Sequence, residues 1–292
     1  MAANATGTAV RNAMTVDVED YFQVQAFARV ISRDDWDTLP HRVERNTGRM
    51  LDVFAGADVK ATFFTLGWVA ERHPNLVRRI VAEGHELASH GYAHRRADEQ
   101  TPAEFRADVV KAKAILEDIG GTVVRGYRAP TFSIGAGNRW AFDVLAEAGY
   151  RYSSSIYPVA HDLYGSPDCS RTPFREQQSG LIEIPLTTVR LFGKNFPCSG
   201  GGYFRLFPYA LSARAMRHVN RADGFPCIFY VHPWEIDPDQ PRQAQAGLKS
   251  RFRHYTNLAR TEGRLQRLLR DFSWGRMDEI FAASLAPGAL AA

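Results

Sequence analysis

A chain of 292 residues that is 45% hydrophobic and 23% charged has material for one large domain or two small ones, and is too apolar to be mainly disordered. Its 3 cysteines, Cys169, Cys198 and Cys227, are odd in number and form no CxxC pair, which argues against a disulfide framework or a cysteine-based zinc site. The net charge of +4 is uneven: nine basic residues face two acids between Pro241 and Arg276, leaving about −3 elsewhere.

No nucleic-acid motif accompanies that basic segment, so it reads as a solvated helix face rather than a polyanion site. The opening MAANATGTAVRNAMTVDVED has no apolar stretch after an early basic region, and no run approaches the ~20 apolar residues of a spanning helix. The expectation is a soluble cytoplasmic protein without a membrane span.

In chain order, AMTVDV, VKATFFTLG, HELAS, TVVRGYRAP, YRYSSSIYP, LIEIPLTTV and CIFYVHPW read as strands rich in Val, Ile, Phe, Tyr and Thr. A helix from His41 to Phe54 is expected within the long segment after the first strand. GWVAERHPNLVRRIVAEG reads as one helix stopped by Gly84, with Val69, Leu76, Val77, Ile80 and Val81 near one face. TPAEF opens another, where Thr101 caps, Pro102 takes the first position and Glu104 closes a capping box. NRWAFDVLAEAG and PYALSARAMRHVNRADG follow, ending at Gly149 and Gly224. Leu258, Leu265, Leu268, Leu269 and Phe272 then form an amphipathic stripe that packs on the domain.

This alternation implies an α/β fold: a barrel of about seven parallel strands with helices outside and a C-terminal helical extension. The expected layout is a tail over 1–13, a barrel over 14–240, and a basic helical extension over 241–292. No phosphate-binding Gly-loop marks a switch point of an open sheet.

In such a barrel, chemistry belongs at the C-terminal strand ends, and polar residues collect there. Asp17, Glu19 and Asp20 close the first strand, His90 and His94 follow the third, Arg128 ends the fourth and His232 the last. One helical turn would bring His90 and His94 to one side, and an acid from the neighbouring strand would complete a metal site. Glu19 shares the face of Asp17, whereas Asp20 could reach from the turn, so the acidic ligand stays open between them. The bland alternative is that Asp17 and Glu19 cap the next helix or pair with nearby Arg. Arg128 is suited to orienting a carboxylate and holding it ionised, and His232 to general acid work.

TVDVED, SHGYAH, RAP and VHPWE, in this order, resemble the NodB-homology polysaccharide deacetylases. GGGYFRLFP, HPWEIDPDQPR and RFRHYTNLARTEGRLQRLL point to the subgroup of exopolysaccharide and exosortase loci, related to the peptidoglycan-deacetylase and allantoinase-like branch. The resemblance runs from about Met14 to Phe272. It implies a distorted (β/α) barrel and metal-dependent removal of N-acetyl groups from an amino-sugar polysaccharide, with acetate released.

Carried over residue by residue, it makes Asp17 the catalytic base, His90 and His94 metal ligands, Arg128 the base-orienting residue and His232 the acid. Glu19 is the first choice for the third ligand, with Asp20 behind it, and the metal is Zn²⁺ or another divalent ion. Tyr92, Phe132, Tyr203 and Trp234 are candidates to line a sugar cleft. One position departs from the pattern: Ser153 stands where the subgroup usually has Asp, with Glu183 and Glu235 as candidate substitutes. The other readings are an allantoinase-like C–N hydrolase and a catalytically weak glycan-binding barrel.

Overall fold

Strand β1 (Arg11–Val18) is buried along all but its first residue because it lies inside the sheet and is covered on both faces. The computed structural model describes residues 10–162, 164–286 and 288–290. β1 pairs in parallel with β2 (Thr62–Thr65) and β10 (Ile228–Val231), and β2 continues into β3 (Glu86–Ser89). β4 (Gly126–Tyr127), β5 (Tyr152–Ser153), β6 (Phe174–Arg175) and β7 (Ile182–Glu183) complete the order β10-β1-β2-β3-β4-β5-β7-β6. The sheet is mostly parallel and curls into a half-barrel, each of the seven expected strands supplying one of its members.

Closure differs from that of a regular barrel. Among the described residues no ladder joins β7 to β10. Polar contacts bridge the gap: Ile228 N donates to Thr187 Oγ1 at 2.7 Å and Tyr230 N to Ser199 O at 3.1 Å. LIEIPLTTV, expected as one strand, breaks at Pro185, which has no N–H for a ladder. It becomes β7 and β8 (Thr188–Leu191), and β8 forms a separate hairpin with β9 (Lys194–Pro197). Strand β6 runs antiparallel to β7.

Alternation sorts the side chains into two layers. Met14, Val16 and Val18 face a helix-covered core with Phe63, Phe229 and Val231. Phe64, Ala88, Tyr152, Ile182, Ile228 and Tyr230 form the inner layer with Ala13. Thr15 and Asp17 stay in phase with Ala13, so the last inward position of β1 is a carboxylate. Inside, the ring of Tyr152 crosses β4 so closely that a Cβ on Gly126 would lie 2.3 Å from it.

Among the described residues the helices are α1 (Val43–Gly56), α2 (Gly67–Arg72), α3 (Pro74–Ala82), α4 (Pro102–Gly120), α5 (Trp140–Glu147), α6 (Gly201–Leu206), α7 (Tyr209–His218), α8 (Leu248–Tyr255), α9 (Leu258–Asp271), α10 (Met277–Ile280) and α11 (Ala282–Leu285). The expected capping box opens α4: Thr101 Oγ1 accepts from Glu104 N, and Glu104 Oε2 from Thr101 N. The single helix expected from Gly67 onward is two, because Pro74 cannot continue the hydrogen bonds of α2 and instead starts α3.

Leu258, Leu265, Leu268 and Leu269 of α9 are buried, and the helix packs on the turn Pro233–Ile236 that follows β10. Residues after 240, expected as helices, also supply β11 (Ser273–Gly275). That strand enters the main sheet against the start of β1. Among the described residues no helix is long and apolar enough to cross a membrane.

Candidate active site

Asp17 leaves β1 pointing inward and is met there by Arg128, the first residue after β4. Arg128 Nη1 donates to Asp17 Oδ1 at 2.6 Å and to Thr15 Oγ1 at 2.8 Å. Its Nε donates to Ser154 O at 3.2 Å, and Phe64 lies under the guanidinium at 4.0 Å. Arg128 is 0% exposed, so a permanent charge is buried against this one carboxylate and a set of oxygens. Such a pair holds its geometry because neither partner has water to turn to.

The SHGYAH segment is a loop, not the helical turn expected from its spacing. Gly91 adopts φ +76, and a Cβ there would lie 2.8 Å from Asp108 Oδ2. That carboxylate instead accepts from Tyr92 N at 2.9 Å, while Arg33 donates to Ala93 O and His94 O and holds the far end. The loop brings the rings of His90 and His94 to 5.3 Å.

His90 Nδ1 donates to Arg128 O at 2.8 Å, which leaves Nε2 as the lone-pair nitrogen facing the site. Burial, and then His94, holds its pKa well below 6.5, so the ring is neutral, as a ligand must be.

Glu19 completes the group. One ligand atom from each of Glu19, His90 and His94 lies within 4.8 Å of the others, and all three residues are buried. Glu19 Oε2 is 2.8 Å from His94 Nε2 yet makes no hydrogen bond of regular geometry. Oε1 accepts from Trp234 Nε1 at 3.1 Å. Burial alone would raise the Glu19 pKa, but the neighbouring imidazoles, His94 foremost, bring it below its usual value. An ionised carboxylate with an unsatisfied oxygen, beside two imidazoles, fits a divalent cation by its donor chemistry.

Asp20 does not join them. Its Oδ2 accepts from Arg42 N at 2.6 Å and Val43 N at 2.9 Å, and its Oδ1 from Tyr21 N at 2.8 Å. It therefore caps α1 from a distance in sequence, satisfying donors that the first turn leaves free. Of the two acids left open by the sequence, Glu19 faces the histidines and Asp20 faces the helix.

His232 stands across the site at the end of β10. Its Nε2 lies 3.8 Å from Asp17 Oδ2 and 3.7 Å from Glu19 Oε1. Its Nδ1 is 3.0 Å from Glu235 Oε2, which also accepts from His232 N at 2.9 Å. Burial would lower the His232 pKa, but Glu235, Glu19 and Asp17 push it up to about 9. Glu235 goes down to about 2: burial opposes its charge, and Arg205 and His232 outweigh burial. Arg205 donates to Glu235 Oε1 at 2.6 Å and to the carbonyls of Arg253, His254 and Thr256.

Of the two acids considered beside Ser153, Glu235 is the one that contacts His232. The HPWE spacing carries the signal, since Pro at the first turn position and Glu at the third reach back to the residue before the turn. Glu183 is buried one strand away and accepts from Ser155 N and Ile156 N, which occupies it structurally.

These groups open on a cavity of about 500 Å³, lined further out by Phe132, Tyr203, Tyr230 and Phe252. Phe132 sits at φ +50 and Thr131 at φ +56, a pair of left-handed residues that turns the ring into the cavity. Trp234 lines it too, with its indole N–H committed to Glu19. Tyr92 does not: its hydroxyl donates to Glu71, and Lys111 covers its ring on the outside of the fold.

Residues 34–153 match the family model described as polysaccharide deacetylase, and residues 154–282 match a domain of unknown function, DUF3473. The boundary falls inside the sheet: His90, His94 and Arg128 lie in the first match and His232 and Glu235 in the second, while Asp17 and Glu19 precede both.

Peptidoglycan-N-acetylglucosamine deacetylase of Bacillus cereus is 38% identical over 84 residues, covering 29% of this chain and 30% of that one. A chitooligosaccharide deacetylase of Bradyrhizobium is 40% identical over 101 residues, covering 34% and 43%. The match thus spans less than half the length of these curated relatives. Among solved structures, a polysaccharide deacetylase from Mycobacterium smegmatis described as putative superposes with a TM-score of 0.63 at 19% identity, covering 99% of this chain and 96% of that one. The Puue allantoinase superposes with a TM-score of 0.60 at 17% identity, covering 96% and 93%. Both share the fold.

Proposed function

We propose that this chain, which carries a polysaccharide deacetylase domain over residues 34–153, hydrolyses N-acetyl groups of an amino-sugar oligo- or polysaccharide. The observation that supports this reading is the convergence on one cavity of a three-ligand cluster, an arginine-held carboxylate and a carboxylate-held imidazole. Relatives named as peptidoglycan and chitooligosaccharide deacetylases give the substrate class.

Glu19, His90 and His94 would hold a divalent metal, Zn²⁺ first by its preference for imidazole and carboxylate. When bound, such an ion supplies Lewis-acid polarisation of the acetamide carbonyl and a more acidic water. Asp17 takes the proton of the attacking water, and Arg128 fixes the carboxylate for that task. His232, protonated at neutral pH, gives its proton to the sugar nitrogen as the C–N bond breaks. One water is consumed, and acetate and a free amino sugar leave. Trp234, packed at 5.3 Å and nearly parallel to His232, excludes water from one side of the donor.

The test is acetate release from N-acetylglucosamine oligomers together with metal analysis. His94→Ala loses bound metal and acetate release together, while Asp17→Asn keeps the metal and loses ~10²-fold or more in turnover. Release of ammonia or urea from a ureide panel without acetate from the oligomers overturns the reading, as does full activity of Asp17→Asn.

A further inference from the structure

The hairpin β8–β9 projects a phenylalanine into solvent. Leu191 pairs with Lys194, so the turn between them is Phe192–Gly193 alone, with φ +51 and +76. Two left-handed residues make this the mirror-image tight turn that favours Asn-Gly, because a large side chain at the first position strains the backbone. Phe192 accepts that strain while 100% exposed, so its ring returns nothing to the core. Arg190 and Lys194 flank it, both exposed.

The surroundings repeat this chemistry. Leu191, Phe196, Phe207 and Leu211, each more than 40% exposed, lie around an apolar groove of about 430 Å³. Arg214 and His218 at its edge continue into a second hollow of about 530 Å³ that Arg221 also lines. Among the described residues, the side chains of Arg190, Lys194, Arg214 and Arg221 have no ion-pair or hydrogen-bond partner. Half of the large hydrophobic side chains exposed among the described residues thus gather on one face, with unpaired charges of a single sign around them.

We infer that this face docks on an anionic lipid bilayer surface, the Phe192 tip entering the interface and the four cations meeting headgroup phosphates. Charge complementarity selects this occupant: a flat negative surface satisfies cations spread over the β8–β9 hairpin, α7 and the turn after it, and a protruding aromatic tip between Arg and Lys suits insertion. Large exposed apolar patches mark such interaction sites. Tyr203 lines both this groove and the active-site cavity, so docking sets the mouth of the cleft beside the bilayer.

The experiment is sedimentation of the full chain with phosphatidylcholine vesicles, with and without phosphatidylglycerol. Binding is expected only with phosphatidylglycerol and weakens with salt. Phe192→Ser lowers the partition coefficient at least about tenfold. Arg190→Gln combined with Lys194→Gln lowers it about 30-fold, roughly fivefold for each cation. Circular dichroism of both variants matches the parent, since these side chains are exposed. Failure to bind phosphatidylglycerol vesicles overturns the inference. So does unchanged binding by both variants, or a parent dimer in light scattering that Phe192→Ser dissolves, which would assign the face to a second copy.

Discussion

His232 and Glu235 are joined twice within one short turn, the Glu235 carboxylate lying 3.0 Å from the ring Nδ1 and 2.9 Å from the backbone N–H of the same histidine. The contact fixes the ring and, together with Glu19 and Asp17, overcomes burial and raises its pKa to about 9. Because the folded pKa is raised, the imidazolium is present below about 9 and lost above it. Glu235→Gln removes the largest raising influence and moves the alkaline limb of the pH–rate profile downward. An unmoved limb would show that another group governs it.

Asp20 and Glu19 are neighbours with different employment, and Asp20→Ala tests the division. Loss of the cap on α1 costs about 1–2 kcal/mol in urea unfolding. Bound metal per chain is expected to stay at the parent value, because Glu19, His90 and His94 form the candidate ligand cluster and Asp20 lies outside it. A drop in metal content of the folded variant would return Asp20 to the site.

Arg128→Ala leaves Asp17 charged and buried with its partner gone, and frees Thr15 and Ser154 from their donor. Removing one side of a buried pair costs about 3–5 kcal/mol, read from the denaturation midpoint at unchanged slope. A loss within about 0.5 kcal/mol would mean that water replaces the guanidinium.

At the opposite end of the sheet, burial and then Asp278 push the carboxyl of Glu86 up to about 7 from 4.5. A raised folded pKa means that Glu86 contributes its stability fully below about 4.5 and loses it as pH rises toward 7. Across that window the melting temperature of the parent falls relative to that of Glu86→Gln. Parallel curves would show that Glu86 titrates in the fold as it does in the unfolded chain.

The strands, the capping box of α4 and the amphipathic stripe of α9 were legible in the sequence because each depends on near neighbours and on period. The same is true of the inward phase of Thr15 and Asp17. Where a local pattern was interrupted, sequence reading slipped: Pro74 divided one helix and Pro185 one strand. SHGYAH reached its geometry through Gly91 and the distant Asp108 and Arg33, not through a helical turn. β11 was missed because a three-residue strand has almost no periodicity, and it pairs with residues some 260 positions away.

By itself, the sequence determined the parallel α/β architecture and the set of acids, imidazoles and guanidinium at the strand ends. Alternation and spacing suffice for that, because they fix which side chains reach which face. Only the tertiary structure placed Glu19 beside the histidines and Asp20 on α1, and paired Glu235 with His232 and Trp234 with Glu19. Those choices depend on which backbone N–H groups and charges converge after the sheet curls, as when the first turn of α1 claims one carboxylate and leaves the adjacent one to the histidines.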